Sequence, residues 1–196
     1  GERAGLIPTT DWKRAVRGQR WQVGDTFNAG IGQGFVLASP LQLAVMAARI
    51  ANGKTAVRPT LIIGQNLEQS TPLDIDPQDM AFIQNAMRSV CEVPGGTAYK
   101  PNGLGILGME MAGKTGTGQV RGISAAERLS GVQKNKDLPW KLRDHSIFVG
   151  YAPYNNPRFA AAVLVEHGGS GAGIALKIFR ATMSKALKDD GIESAI

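Results

Sequence analysis

The sequence has few of the side chains that build thiol and metal chemistry. One cysteine, Cys91, and two histidines, His145 and His167, occur in 196 residues. A single cysteine excludes an intrachain disulfide. Because there is one thiol and no helical histidine pair, the sequence predicts no zinc site, and we expect no other metal and no cofactor. Cys91 lies in the apolar-rich stretch 86–91, which favours a small core side chain over a nucleophile.

Long apolar runs and aromatic clusters are also missing. No stretch approaches the roughly 20 apolar residues that a membrane-spanning helix needs, and no signal peptide is visible. Three Trp, three Tyr and six Phe are the aromatic residues, and no basic run is interleaved with them. The formal net charge of +6 therefore fits a soluble surface or an anionic partner such as cell wall, and it does not predict nucleic-acid binding.

Hydrophobic residues make up 43% of the chain and charged residues 19%, which is a globular composition. The pattern predicts the following elements: a turn of helix near 11–17 within an otherwise irregular stretch 1–34, a helix over 40–52, a strand over 57–64, a helix over 77–93, a strand over 111–120, a polar insertion over 122–144, a hairpin of strands 145–151 and 158–166, and a helix over 174–188. Consecutive strands form antiparallel sheets, so the predicted fold class is α+β, an antiparallel sheet flanked by helices.

The helix over 40–52 has a clear start. Ser39 suits the cap, Pro40 suits the first helical position, and Gln42 lies where a capping box needs it. Its apolar residues occur on most sides, which predicts a buried helix.

The stretch GMEMAGKTGTGQV, residues 108–120, fits two motifs with different chemistry. Residues 108–115 match the phosphate-binding pattern G-x-x-x-x-G-K-[ST], and residues 114–116 match K-T-G, a motif of serine enzymes that bind penicillin. A phosphate-binding loop needs a buried strand before it and a helix directly after its lysine. Turn-forming residues 100–105 precede this one, and Gly116 and Gly118 follow the lysine, so a P-loop NTPase is only a remote alternative.

The K-T-G interpretation requires a strand, and residues 111–120 are predicted to form one. Glycines at 113, 116 and 118 lack a Cβ atom and would let another backbone approach closely. An edge strand offers unpaired N–H and C=O groups to an extended peptide. In an acyl-transfer site, such an N–H stabilises the oxyanion that develops on the attacked carbonyl.

Longer stretches point to one family. The segments GERAGLIPTTDWK, IGQGFVLASPLQLAVMAARIANG, AGKTGTGQV and RDHSIFVGYAPYNNPRFAAAVLVEHGGSG occur in this order and span nearly the whole chain. Together they resemble the transpeptidase domain of class B penicillin-binding proteins, specifically the elongation-type penicillin-binding protein 2. The resemblance implies a peptidoglycan D,D-transpeptidase that cross-links stem peptides by serine acylation and binds β-lactams.

The resemblance also implies roles for the K-T-G residues. Lys114 would supply positive charge near the proton-relay network of the nucleophile. The Thr115 and Thr117 hydroxyls would bind the carboxylate of the donor peptide or β-lactam, and the Thr117 N–H would be one of two oxyanion donors. Gly116 would leave space for the substrate backbone.

Two motifs of the family, Ser-x-x-Lys and Ser-x-Asn, do not occur in this sequence. Thr97-Ala98-Tyr99-Lys100 is the nearest relative of the first, but it follows a Pro-Gly-Gly break and is predicted to be a turn. Both motifs precede the region matched by Gly1 in the family. We therefore expect residues 1–196 to be the C-terminal portion of a single transpeptidase domain, without its nucleophile and inactive alone.

A different catalytic set is not predicted. Asp144-His145-Ser146 contains the residue types of a triad, but neighbours on a strand point to opposite faces, whereas a triad needs three converging side chains. His145 is predicted to be structural, and His167 is predicted to occupy a rim position.

Two further alternatives remain at this point, a serine β-lactam hydrolase and a non-catalytic β-lactam sensor or wall-binding module. The resemblance implies as partners the remainder of the same polypeptide, peptidoglycan stem peptides, β-lactams and a membrane-embedded glycan polymerase of the machinery that sets cell shape. It also implies a membrane-anchored parent at the periplasmic face of the bacterial inner membrane, with this piece soluble.

Overall fold

The computed structural model describes residues 3–62 and 71–191. Its elements in chain order are α1 (Thr10–Arg17), α2 (Val23–Gly30), α3 (Pro40–Asn52), α4 (Pro77–Glu92), β1 (Ala112–Gly118), α5 (Ala125–Ser130), β2 (His145–Ala152), β3 (Phe159–Val165) and α6 (Ile174–Asp189). Two single 3-10 turns, Asn135–Asp137 and Trp140–Leu142, lie between α5 and β2. The predicted α+β class is confirmed.

The three strands form one antiparallel sheet in the order β1-β2-β3. The register places Lys114 opposite Val149 and Gly116 opposite Ile147. Among the described residues, β1 has β2 on one side and no strand on the other, as predicted for an edge strand.

The core lies where α4 and α6 meet the sheet. Phe148 of β2 and Phe179 of α6 are both fully buried, and their ring centroids lie 4.7 Å apart in an edge-to-face arrangement. Cys91, at the end of α4, belongs to the same cluster and is 1% exposed. The core therefore fixes β2, and β1 follows through its pairing with β2.

Helix α3 begins as predicted but is less buried than predicted. Ser39 N–H donates to Gln42 Oε1 over 2.8 Å, and Gln42 N–H donates to Ser39 Oγ over 3.2 Å, which is a complete capping box. Within α3, all of which is described, Ala47 alone is buried, whereas Leu41 and Met46 are 47% and 42% exposed. The prediction of a buried helix was wrong, because a helix packed on one side leaves its other apolar faces in solvent.

The strand predicted over 57–64 was wrong for residues 57–62, and residues 63 and 64 lie outside the described part. Pairing occurs just before it instead, where Ala56 N–H donates to the Thr71 carbonyl and Leu73 N–H donates to the Lys54 carbonyl. The Val57 carbonyl accepts from Arg49 Nε over 3.2 Å, and Pro59 has no N–H to donate. Because the Val57 carbonyl is bonded to a side chain and Pro59 lacks an N–H, residues 57–62 do not continue the backbone pairing seen at Lys54 and Ala56.

Contact density divides the chain into two compact units, the first ending at Gln42 and the second beginning at Leu43. In the first unit, α1 was predicted and α2 was not. Lys13, 4% exposed, donates to Asp25 over 2.5 Å, and Asp25 also accepts from the Gln22 N–H. The glycines of α2 argue against a helix, but this carboxylate caps its start and ties it to α1.

Within residues 3–62 and 71–191, no helix has the length and apolarity needed to cross a bilayer.

The burial of Cys91 predicts an inert thiol. Desolvation raises its pKa to about 12, so the reactive thiolate is scarce at neutral pH. We expect a disulfide reagent at pH 8 to modify the native protein on the order of a hundredfold or more slowly than the urea-unfolded protein. The modification rate is measured by absorbance. Equal rates for the native and the unfolded protein would contradict the placement of Cys91 in the core.

Candidate active site

The K-T-G residues lie along the outer edge of β1, extended as predicted. Lys114 and Thr117 are exposed, while Thr115 and Gly116 are half-buried. Lys114 Nζ donates to the Thr115 carbonyl over 2.8 Å, so the ammonium group stays beside the strand edge. Lys114, Thr115 and Thr117 thus offer a cation and two hydroxyls around one stretch of main chain, a set suited to a carboxylate at the end of a peptide.

Residues 108–120, all of them described, do not form a phosphate-binding loop. Ala112–Gly118 is a strand, and the next helix begins only at Ala125. Backbone N–H groups are therefore arranged along a line rather than around a central anion.

The glycines of β1 serve two different purposes. A Cβ on Gly113 would lie 2.5 Å from Phe148 Cζ and 2.8 Å from the Val149 carbonyl oxygen, inside the core. A Cβ on Gly116 would lie 3.3 Å from Ile147 Cβ, which small adjustments can accommodate. Gly113 is therefore required for packing, whereas nothing in the described residues requires Gly116 to that degree.

A glycine loop after β3 closes one face of the β1–β2 ladder. A Cβ on Gly171 would overlap the carbonyl oxygens of both Gly116 and Ile147. Buried Ser146 holds this loop in place, because its Oγ donates to the Ser170 carbonyl over 2.7 Å and accepts from Ala175 N–H over 3.3 Å. Sequence reasoning missed this contact, although the run GGSGAG over 168–173 marks a segment able to approach a backbone closely.

A second contact joins β1 to a turn that lies earlier in the sequence. Thr97 Oγ1 lies 3.0 Å from Thr115 Oγ1. The turn predicted over 97–100 forms at residues 97 and 98, where Tyr99 N–H donates to the Gly96 carbonyl. The turn nevertheless brings a hydroxyl directly to the K-T-G strand, and no signal in the sequence indicated this proximity.

His145 has structural contacts, as predicted, and His167, which was predicted at a rim position, is half-buried and has structural contacts too. His145 Nδ1 accepts from the His167 backbone N–H over 2.9 Å, and the His167 ring packs against Trp140 with centroids 4.4 Å apart. The Asp144 carboxylate accepts from Asn135 Nδ2 over 2.7 Å. Since Ser146 is 0% exposed, these residues do not form a triad open to a substrate.

In the two described segments, no group of three or more His, Cys, Asp or Glu side chains is placed to hold a metal ion. The strand edge offers main-chain groups, hydroxyls and one ammonium group for hydrogen bonding.

An antiparallel sheet packed between helices, with a K-T-G motif on its open edge, is the arrangement of a penicillin-recognising domain. The family model described as the penicillin binding protein transpeptidase domain matches residues 1–184, and the chain belongs to this family.

Within the family, the chain is similar to penicillin-binding protein 2. It is 35% identical over 188 residues to the peptidoglycan D,D-transpeptidase MrdA of Salmonella typhimurium, a match that covers 90% of this chain and 29% of the relative. The chain thus spans under a third of the length of that curated relative.

Solved structures agree. The penicillin-binding protein PBP2 of Helicobacter pylori, in its complex with MreC, matches with a TM-score of 0.78 and 31% identity over 97% of this chain and 32% of that chain. Penicillin-binding protein A of M. tuberculosis, as its imipenem acyl-enzyme complex, matches with a TM-score of 0.57 and 29% identity over 82% of this chain and 33% of that chain.

Two of the three glycines of β1, Gly113 and Gly116, give a prediction about stability. We expect Gly113→Ala to lower the free energy of unfolding by about 1–3 kcal/mol, because the added methyl group overpacks against Phe148. We expect Gly116→Ala to change it by no more than about 1 kcal/mol, since the new methyl group is tolerated and the unfolded chain loses entropy.

Urea denaturation measures both values. Gly122→Ala is the matched control, because a Cβ on Gly122 meets nothing within 4 Å. Equal destabilisation by the changes at 113 and 116 would contradict the distinction.

Proposed function

We propose that this chain forms the substrate-binding strand and its support in a peptidoglycan D,D-transpeptidase. The single observation that carries the proposal is the open edge of β1, where exposed Lys114 and Thr117 flank half-buried Thr115 and Gly116. An extended stem peptide can pair with such an edge, and its terminal carboxylate can accept hydrogen bonds from the two threonine hydroxyls.

The reaction is acyl transfer through a serine. The serine oxygen attacks the carbonyl of the D-Ala-D-Ala bond, its proton passes to the departing D-Ala amine, and an ester links donor peptide and enzyme. The amine of a second stem peptide then attacks the ester, which forms the cross-link and returns a proton to the serine. In this scheme, Lys114 favours deprotonation of the nucleophile by its charge, and the Thr117 N–H donates to the oxyanion.

The nucleophile is supplied by another portion of the same domain. The sequence contains no Ser-x-x-Lys and no Ser-x-Asn, so residues 1–196 constitute a C-terminal portion that does not acylate by itself. The open β1 edge is then one wall of a groove whose opposite wall carries the serine.

Support for transpeptidation over hydrolysis, sensing or wall binding without chemistry comes from the relative, which is named a D,D-transpeptidase. β-Lactams fit the same site because they present a carbonyl and a carboxylate as the donor peptide does. The acyl-enzyme complex of the M. tuberculosis neighbour supports covalent capture of such a ligand.

The proposal extends to the cellular setting. The H. pylori neighbour is solved with MreC, which supports a place for the parent protein in a multiprotein cell-wall assembly. A membrane-embedded glycan polymerase is the partner that must supply the strands to be cross-linked, and the periplasmic face of the inner membrane is where that substrate lies.

The missing nucleophile predicts a difference in covalent labelling. We expect a fluorescent penicillin to leave no covalent label on the 196-residue chain and to label a longer form that carries the Ser-x-x-Lys segment. Denaturing gel electrophoresis separates bound from free dye, and pre-incubation with unlabelled penicillin is the control. Robust labelling of the short chain would overturn the assignment of the nucleophile to another portion.

The role of the Thr117 hydroxyl predicts a loss of acylation rate. In the serine-bearing form, we expect Thr117→Val to slow penicillin acylation by about 10- to 100-fold, as one hydrogen bond to a carboxylate is lost. The exposed Thr182 of α6 provides the matched control, Thr182→Val, which should acylate at the normal rate. An unchanged rate in Thr117→Val would remove this residue from the site.

A further inference from the structure

We propose that Thr97 is a positioning residue that orients the Thr115 hydroxyl toward the ligand carboxylate. The inference rests on the proposed function, in which Thr115 binds that carboxylate. Thr97 lies outside the K-T-G strand, in a turn to which the sequence assigns no role. The two hydroxyl oxygens nevertheless lie 3.0 Å apart, within hydrogen-bond distance.

The turn that carries Thr97 is anchored independently of Thr115. Gly96 lies so close to the end of α4 that a Cβ there would stand 2.6 Å from the Ser89 carbonyl oxygen and closer still to that of Val90. Ala98 N–H donates to the same Val90 carbonyl over 3.0 Å, and Ala98 is 1% exposed. Thr97 is thus held between two residues that are each fixed against α4.

A half-buried arginine also holds the turn. Arg180 of α6 donates from Nη2 to the Ala98 carbonyl over 2.6 Å. Burial lowers the pKa of Arg180, and its Nε atom has no hydrogen-bond partner among the described residues. Burying a guanidinium group with incomplete pairing is unfavourable, and the hydrogen bond to the Ala98 carbonyl offsets part of that cost. The turn is therefore held by hydrogen bonds to both α4 and α6 rather than being a free loop.

The proton count gives the direction of the hydrogen bond in the liganded state. A threonine hydroxyl has one proton to donate and can also accept. If Thr115 donates to a ligand carboxylate, its oxygen is free to accept only, and Thr97 must be the donor between them. The chain Thr97 O–H to Thr115 Oγ1, then Thr115 O–H to carboxylate, polarises both hydroxyls in one direction.

This role differs from that of a simple structural tie. A structural tie would affect stability and every ligand alike. A positioning hydroxyl affects ligands that present a carboxylate to Thr115 and leaves ligands without one nearly unchanged.

The test uses the serine-bearing form of the protein and two probes, a penicillin and its methyl ester. For each, the half-saturating concentration and the acylation rate constant are measured by competition with a fluorescent penicillin. We expect Thr97→Val to raise the half-saturating concentration of the penicillin ~5- to 10-fold and that of the ester less than ~2-fold, the effect of weakening one hydrogen bond to a charge. Thr97→Ser, which keeps the hydroxyl, should restore the penicillin value to within ~2-fold of the original.

The outcomes separate this inference from the proposed function. Equal weakening of both probes together with a lower melting temperature, or no change for either probe, would overturn the role of Thr97 while acylation of the unmodified protein still supports the transpeptidase. Absence of acylation in the unmodified serine-bearing form would overturn the proposed function and with it this inference. If Thr97→Val does not fold, Thr97→Ala against Thr97→Ser makes the same comparison of hydroxyl present and absent.

Discussion

The pairing of β1 with β2 is the constraint on which the site depends. Within the described part of the chain, β1 pairs with a strand on one side only, and its glycines allow close contact on its faces. Gly113 packs against Phe148, and Gly171 packs against Gly116, so the core and the glycine loop contact the strand where it has no side chain. The consequence is a strand that is closely packed at these two glycines and open along its outer edge. An edge of this kind can stabilise developing charge without having to reorganise first.

The site is assembled by elements that are far apart in the sequence. The end of α4 and Arg180 of α6 fix the turn that brings Thr97 to Thr115. Ser146 of β2 fixes the glycine loop that covers Gly116. Both supports act on the same strand and leave Lys114 and Thr117 exposed. The histidines take part in none of these supports and instead pack against each other and Trp140.

Sequence reasoning succeeded where local chemistry dominates. The capping box at Ser39, the helix start at Asp76 and the β2–β3 hairpin were predicted from short-range patterns, and all are present. The predictions failed where contacts between residues far apart in the sequence determine the local structure. Helix α2 depends on an ion pair between Lys13 and Asp25, and the strand predicted over 57–64 does not form in its described part, residues 57–62. The exposed faces of α3 follow from how few neighbours cover it.

The sequence by itself determined which motifs are present and on what kind of element they lie. The K-T-G residues 114–116 and Thr117 were predicted on a strand and lie on one, and Ser-x-x-Lys and Ser-x-Asn do not occur, because motifs and strand patterns are local properties of residue order. Tertiary structure alone decided which groups meet that strand. The Thr97 hydroxyl and the Gly171 backbone reach it only after α4, α6 and the sheet have packed, since burial of apolar side chains, not sequence distance, brings their segments together.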